Sequence, residues 1–208
     1  ESADGQGFLG TQVLGFSRLA YKVFQERGLE HASLSELARK IILQRLLHKG
    51  EKEFSVLQTA ARQPNFADTA GRFLWECRSF CVTPEALRQA AEAVPSPTLS
   101  HKLEDISRLY EAYQAFLADH FGSADDTMTL LAREIGHYSF LQGAHVWVDG
   151  FQWFTPQQME ILRQIERAAS KVTITLTIDK AHLAQQRRET ALFHRAYEVY
   201  RDIKTLFP

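Results

Sequence analysis

The run His145-Val146-Trp147-Val148, closed by Asp149 and followed by the helix start Thr155-Pro156-Gln157-Gln158, constrains the fold more than any other stretch. An apolar run that breaks on an acid and then enters a capped helix is the wiring of a strand buried in a parallel sheet. The polar end of such a strand is where α/β sheets usually place ligands. A second run, Lys171 to Ile178, alternates Val172, Ile174, Leu176 and Ile178 with Thr173, Thr175 and Thr177. That reads as a strand with one apolar and one hydroxyl face.

The rest of the chain reads mostly as helix. Residues 1 to 8 are small, acidic and Gly-rich, which predicts a frayed end. A short strand is expected at Thr11 to Leu14. Phe16, Leu19, Ala20, Val23 and Phe24 then recur at helical spacing up to a stop at Gly28. Ser33 with Glu36 forms a predicted capping box ahead of a helix ending near Gly50. Further helices are expected over 54–61, 66–80 and 84–93, the last capped by Thr83 with Pro84 at its first position. Val94-Pro95-Ser96-Pro97 is the clearest linker. Beyond it, Leu103, Ile106, Tyr110, Tyr113 and Leu117 mark a long helix that finishes at Gly122. A shorter helix over 126–135 is led by Asp125 and Asp126, which suit its positive end. The helix over 156–169 takes Thr155 and Gln158 as its capping box, and a last one spans about 190–207.

This order predicts an α/β fold with a parallel sheet, interrupted by an all-helical insertion. Residues 1–28 supply the first part of the α/β layer, 29–94 the insertion, and 95–208 the remaining helices and the rest of the layer. No internal repeat or low-complexity tract interrupts it.

With 208 residues and a formal net charge of −1, the chain is not a uniformly basic nucleic-acid coat. Any nucleic-acid surface has to be local. Cys77 and Cys81 are four apart on a predicted helix and read as small buried hydrophobes, because no Cys or His pair completes a metal site. No apolar stretch reaches transmembrane length and no signal peptide opens the chain, so a reducing, cytoplasmic setting and no membrane partner are expected.

Three blocks carry a family resemblance. Gly15-Phe16-Ser17-Arg18-Leu19-Ala20 resembles the strand-to-helix segment near single-stranded DNA in UvrD-type superfamily 1 helicases. Tyr110-Glu111-Ala112-Tyr113, with Ala124-Asp125-Asp126-Thr127-Met128-Thr129-Leu130-Leu131, resembles the segments that precede their Walker B strand. Val146-Trp147-Val148-Asp149-Gly150-Phe151-Gln152 falls where those enzymes carry Val-Asp-Glu-Phe-Gln. The form Phe16-Ser17-Arg18-Leu19-Ala20, with Asp149-Gly150-Phe151 and Phe154-Thr155-Pro156-Gln157, is most similar to the AddB family, the helicase-like nuclease subunits of bacterial AddAB complexes.

The resemblance implies a partial P-loop (RecA-like) helicase domain within a longer protein, in DNA double-strand break repair. It implies single-stranded DNA and an AddA-like helicase-nuclease subunit as partners, in a heterodimer, and a share in recognition of the regulatory Chi sequence. The parent family's ATP, magnesium and iron-sulfur cluster are expected outside this segment. The departures from active helicases are as informative. Gly150 stands where the catalytic glutamate belongs, no Gly-x-x-x-x-Gly-Lys-Ser/Thr loop occurs, and Val172 to Ile178 runs into Asp179-Lys180 without a Gly-Asp-x-x-Gln-Ser motif. No catalytic residue and no metal ligand set is therefore assigned, and the fragment is expected to be inactive.

The candidate site residues cluster at the end of the first strand and the start of the first helix. Asp149 either contacts magnesium as a degenerate Walker B acid or caps a turn or neighbouring helix. Phe151, Trp153 and Phe154 either stack on bases or pack inward on the 156–169 helix. Ser17 and Arg18 can hold a phosphate at a helix start, and Ser17 is equally an N-cap. Gln152 and Gln157 have amides suited to base edges, whereas Gln158 is accounted for by its capping box. Gly150 leaves room for the Phe151 ring to swing over the strand end. Arg39, Lys40, Arg45 and Lys49 read as a solvated helix face, with duplex backbone contact as the other reading. Two further functions stay open: an ATPase completed by an upstream phosphate loop, and a helical protein-interaction domain.

Overall fold

A computed structural model describes residues 10–29, 34–63, 65–121, 126–178 and 194–207. The expected frayed start, Ser33, Gly122, Asp125, Asp179-Lys180 and the start of the last helix lie outside them.

The helices are α1 (Phe16–Arg27), α2 (Glu36–Lys49), α3 (Leu57–Ala61), α4 (Phe66–Ser79), α5 (Pro84–Ala93), α6 (Pro97–Phe121), α7 (Thr127–Glu134), α8 (Pro156–Ala168) and α9 (His194–Leu206). Strands β1 (His145–Val148) and β2 (Lys171–Ile174) flank α8. They pair in parallel, with His145 opposite Lys171 and Val148 opposite Ile174. Single 3-10 turns occupy Glu51–Glu53, Ile135–His137 and Ser139–Leu141.

Local chemistry sets these boundaries. Thr155 Oγ1 accepts from the N–H of Gln158 while Gln158 Oε1 accepts from the N–H of Thr155, the reciprocal box that starts α8. Thr83 and Asp126 cap α5 and α7 in the one-sided manner. Gly28 ends α1 in the left-handed region at φ 65, its N–H and that of Leu29 closing on Gln25 and Phe24 carbonyls.

Several expectations shift. Thr11 to Leu14 has no partner strand among the described residues and is irregular; a strand needs a ladder to satisfy its backbone. The N-cap of α2 is Ser35, whose Oγ accepts from Ala38 N–H. β2 ends at Ile174, so the alternation of residues 175–178 lies in irregular chain. Pro97 is the first residue of α6 rather than part of a linker, because proline is tolerated where the N–H would be unpaired anyway.

Two apolar cores result. The first joins Ile42, Leu43 and Leu47 of α2 to Leu74 and Cys77 of α4 and Leu87 of α5, together with Leu109, Tyr110, Tyr113 and Leu117 of α6. The bend at 94–96 therefore lies within one core, with α6 packed against the helices before it. The second joins Ala20, Val23 and Phe24 of α1 to Leu131 of α7, Val148 of β1 and Ile161, Leu162 and Ile165 of α8. The architecture is mostly helical with a small parallel sheet, compatible with α/β. Among the described residues no helix is long and apolar enough to cross a membrane.

Candidate functional site

A cleft of about 1100 Å³ opens between the two cores. One wall is α4 with parts of α2 and α6, carrying Arg39, Trp75, Arg78 and Tyr113. The other is the start of α1, the N-cap of α7 and the loop after β1, carrying Ser17, Asp126, Gly150, Phe151, Gln152 and Trp153. Each wall is fixed by its own core, so the cleft is a consequence of how the two are joined.

The sequence candidates divide accordingly. Ser17, Gln152, Phe151 and Trp153 line the cleft, whereas Arg18 is exposed outside it and Asp149 is turned away. The N-cap of α1 is Gly15, which places Ser17 in the first turn and removes its capping alternative. Asp149 Oδ1 accepts the hydroxyl of Thr175 at the end of β2, while Thr175 N–H donates to the Val148 carbonyl at 2.9 Å. The carboxylate thus pins the two strand ends together.

Phe151 is partly buried, edge-on to Phe16 with centroids 5.5 Å apart and stacked on Phe154 at 5.1 Å. Trp153 is different: it is 48% exposed and near-parallel to Phe80 of the opposite wall. Gly150 adopts φ 81, and nothing lies within 4 Å of where its Cβ would be. The glycine is required by the turn, and the space beside it is open.

Gln157 does not present its amide to the cleft as a reader of bases. Its Nε2 donates to both carboxylate oxygens of Asp126, at 3.1 and 3.0 Å, and to Thr129 Oγ1 at 3.0 Å. Asp126 also accepts Thr129 N–H. This knot ties the N-termini of α7 and α8 together behind the loop.

The opposite wall carries the charge. The Arg78 guanidinium lies 5.4 Å above the Tyr113 ring. Burial raises the Tyr110 and Tyr113 hydroxyls above their ordinary range; Arg78 opposes this at both, and Arg39 also at Tyr113. No ion pair holds Arg39 among the described residues, whereas its neighbour Lys40 binds Asp68 at 2.6 Å. Arg39 therefore leaves the solvated face on which its sequence neighbours placed it. Trp75, Arg78 and Arg39 give no local motif. Trp75 and Arg78 flank the buried Leu74 and Cys77 on α4, but so do Arg72 and Glu76, and nothing in the sequence separates the residues that reach the cleft from those that do not.

Chemically the cleft offers cations, aromatic faces and one carboxylate, Asp126, whose oxygens are occupied by hydrogen bonds from within the protein. Among the described residues no three His, Cys, Asp or Glu side chains gather as a metal site. Asp149 is bonded to Thr175 and has Gly150, without a side chain, next to it in place of a second acid.

The chain matches the family model described as "ADDB, N-terminal" over residues 1–207. It is 39% identical over 199 residues to the B-type subunit of the ATP-dependent helicase/deoxyribonuclease of Pelotomaculum thermopropionicum, covering 93% of this chain and 17% of that protein. It is 34% identical over 207 residues to the subunit of the same name in Bacillus subtilis, covering 96% of this chain and 18% of the relative. The chain thus spans under a fifth of the length of these curated relatives. With the degenerate strand end, the Phe16-to-Ala20 helix start and this match over nearly its whole length, the chain belongs to the AddB family, within its N-terminal region.

Proposed function

We propose that this chain is the part of a DNA double-strand break repair helicase-nuclease subunit that holds single-stranded DNA without hydrolysing ATP or cutting the strand. The cleft carries this reading. Guanidinium groups pair with phosphate oxygens in a fork geometry, and Arg39 and Arg78 supply two of them on one wall. Half-exposed Trp75 and Trp153 offer faces on which any base can stack, at roughly 1–3 kcal/mol each.

The strand end supports a silent role in catalysis. Asp149 is engaged by Thr175, and Gly150 has no acid with which to orient water. The relatives are named as one subunit of a helicase/deoxyribonuclease, which supports assembly with another subunit; in this reading that partner is an AddA-like motor, in a cytoplasmic heterodimer. In that assembly this cleft contributes to reading Chi in the passing strand. ATP, magnesium and an iron-sulfur cluster belong to its other segments.

The test is a titration of the intact protein with labelled oligothymidylate at several salt concentrations. Arg39→Gln should weaken binding and reduce the salt slope by about 0.7 for each phosphate that is no longer neutralised. An unchanged slope and affinity would refute the cleft as the binding site. ATP turnover by the intact protein that disappears with Asp149→Ala would establish the upstream-loop ATPase instead.

A further inference from the structure

We infer that Phe80 and Trp153 form a clamp that takes one nucleobase between them, making Phe80 a base-stacking residue on the wall opposite the degenerate strand. The inference rests on single-stranded DNA occupying the cleft, and it adds a specific seat for a base at the rim.

The geometry differs from that of the other rings here. Phe151 and Phe154 are stacked with centroids 5.1 Å apart, and both are partly buried in the second core. Phe80 and Trp153 are nearly parallel, at 16°, with centroids 6.4 Å apart. They keep 51% and 48% of their surface exposed. A stacked base occupies about 3.4 Å of rise, so a base between two rings needs a separation of about 6.8 Å. The centroids of this pair stand further apart than those of Phe151 and Phe154, at 6.4 against 5.1 Å, and its two rings ride on different cores, so a relative shift of the walls opens the gap between them.

The position of Phe80 is set by the backbone. At the end of α4 the N–H of Cys81 donates to Arg78 O at 3.0 Å and that of Val82 to Cys77 O at 2.7 Å, with Cys81 left-handed at φ 56. This double closure turns the chain sharply after Phe80, although a non-glycine residue rarely adopts that conformation. Phe80 is thereby held at the rim beside Ser79, which lines the cleft. Arg78, two residues back, places a guanidinium on the same wall. Rings at the rim and cations within match the two parts of a nucleotide, an aromatic base and a charged phosphate.

The decisive probes are oligothymidylate and an abasic oligonucleotide of equal length, titrated against the intact protein. The abasic strand keeps every phosphate and removes every base. The natural sequence should prefer the base-bearing strand, and Phe80→Leu should weaken that strand about five- to a hundredfold while leaving the abasic affinity within twofold. Phe80→Trp should retain the preference. Trp153 fluorescence, isolated by Trp75→Phe and Trp147→Phe, should be quenched by oligothymidylate and much less by the abasic strand. If Phe80→Leu lowers the melting temperature but leaves the preference unchanged, the pair is only a packing contact and the clamp is refuted. If the preference persists in Phe80→Leu while Arg39→Gln weakens both strands, the clamp fails and the DNA-holding cleft stands. If neither strand binds the natural sequence, both fail.

Discussion

The two cores solve the burial problem differently. The helical core is closed mainly by its own helices, and the one buried charge among its described residues is fully used: Asp105, with no exposed surface, accepts the N–H groups of Ser55, Val56 and Leu57 at 2.7 to 3.0 Å. A residue about fifty positions along the chain thus caps α3, which has no side-chain cap of its own. The α/β core is built around two four-residue strands, and one face of its sheet carries Trp147 at 69% exposure. Self-contained packing gives a rigid wall; a sheet of two strands gives a wall whose position depends on helix caps and strand-end hydrogen bonds. The cleft between them is lined by one wall of each kind.

That contrast can be broken most directly at Asp105. Asp105→Ala leaves three backbone donors at the entry to α3 without a partner and should destabilise the helical core by roughly 3–5 kcal/mol. In denaturant unfolding the helical signal should then separate from that of the α/β core. A single transition shifted as a whole would show the two cores to be one cooperative unit.

On the other wall, Gln157→Ala removes the hydrogen bonds of one buried amide and leaves the Asp126 carboxylate short of a donor. It should cost roughly 1–3 kcal/mol and loosen α7 against α8. Hydrogen exchange of the α7 and α8 amides measures it, and protection should fall there while α4 and α6 are unchanged.

Gly150→Ala tests the turn itself. Space for the methyl group exists, so only the left-handed backbone opposes it, and the loss should be about 1 kcal/mol by thermal melting. A larger loss would mean that the loop holds more of the wall together than Thr175 and Asp149 do.

The smallest effect is alkaline. Burial raises the hydroxyls of Tyr110 and Tyr113 in the helical core and Tyr138 in the other above the ordinary value of 10. A raised folded-state value means that stability is complete below pH 10 and declines as pH climbs through the folded values. Phenolate absorbance should appear later in the folded chain than in urea, and the delay should shrink when Tyr110, Tyr113 or Tyr138 is replaced by Phe.

Much of this was legible in the sequence wherever one short segment carried its own reason. Thr155 and Gln158 sit three apart, Thr83 precedes Pro84, and Val172 alternates with Thr173, so α8, α5 and the start of β2 could be read from neighbours alone, whereas the alternation over 175–178 did not extend the strand. The cleft could not. Arg39, Trp75 and Trp153 are brought together by packing across two cores, and no spacing rule links residues so far apart. Phe80 is the sharper case. Among Phe73, Leu74 and Cys77 it reads as one more core ring, and only the left-handed turn at Cys81 sends it to the rim. The Thr11 to Leu14 expectation failed for the opposite reason: a β-like sequence cannot become a strand without a neighbour to pair with.

The length of α6 carries a mechanical consequence. Its 25 residues make a rod of about 37 Å. Tyr113, Leu117 and Phe121 at one end stand on the cleft, and Pro97 at the other adjoins the bend from α5. The helical core grips that rod from Leu103 to Leu117, so it acts as a strut: load placed on the cleft at the Phe121 end is carried through the core to the bend from α5 rather than absorbed locally.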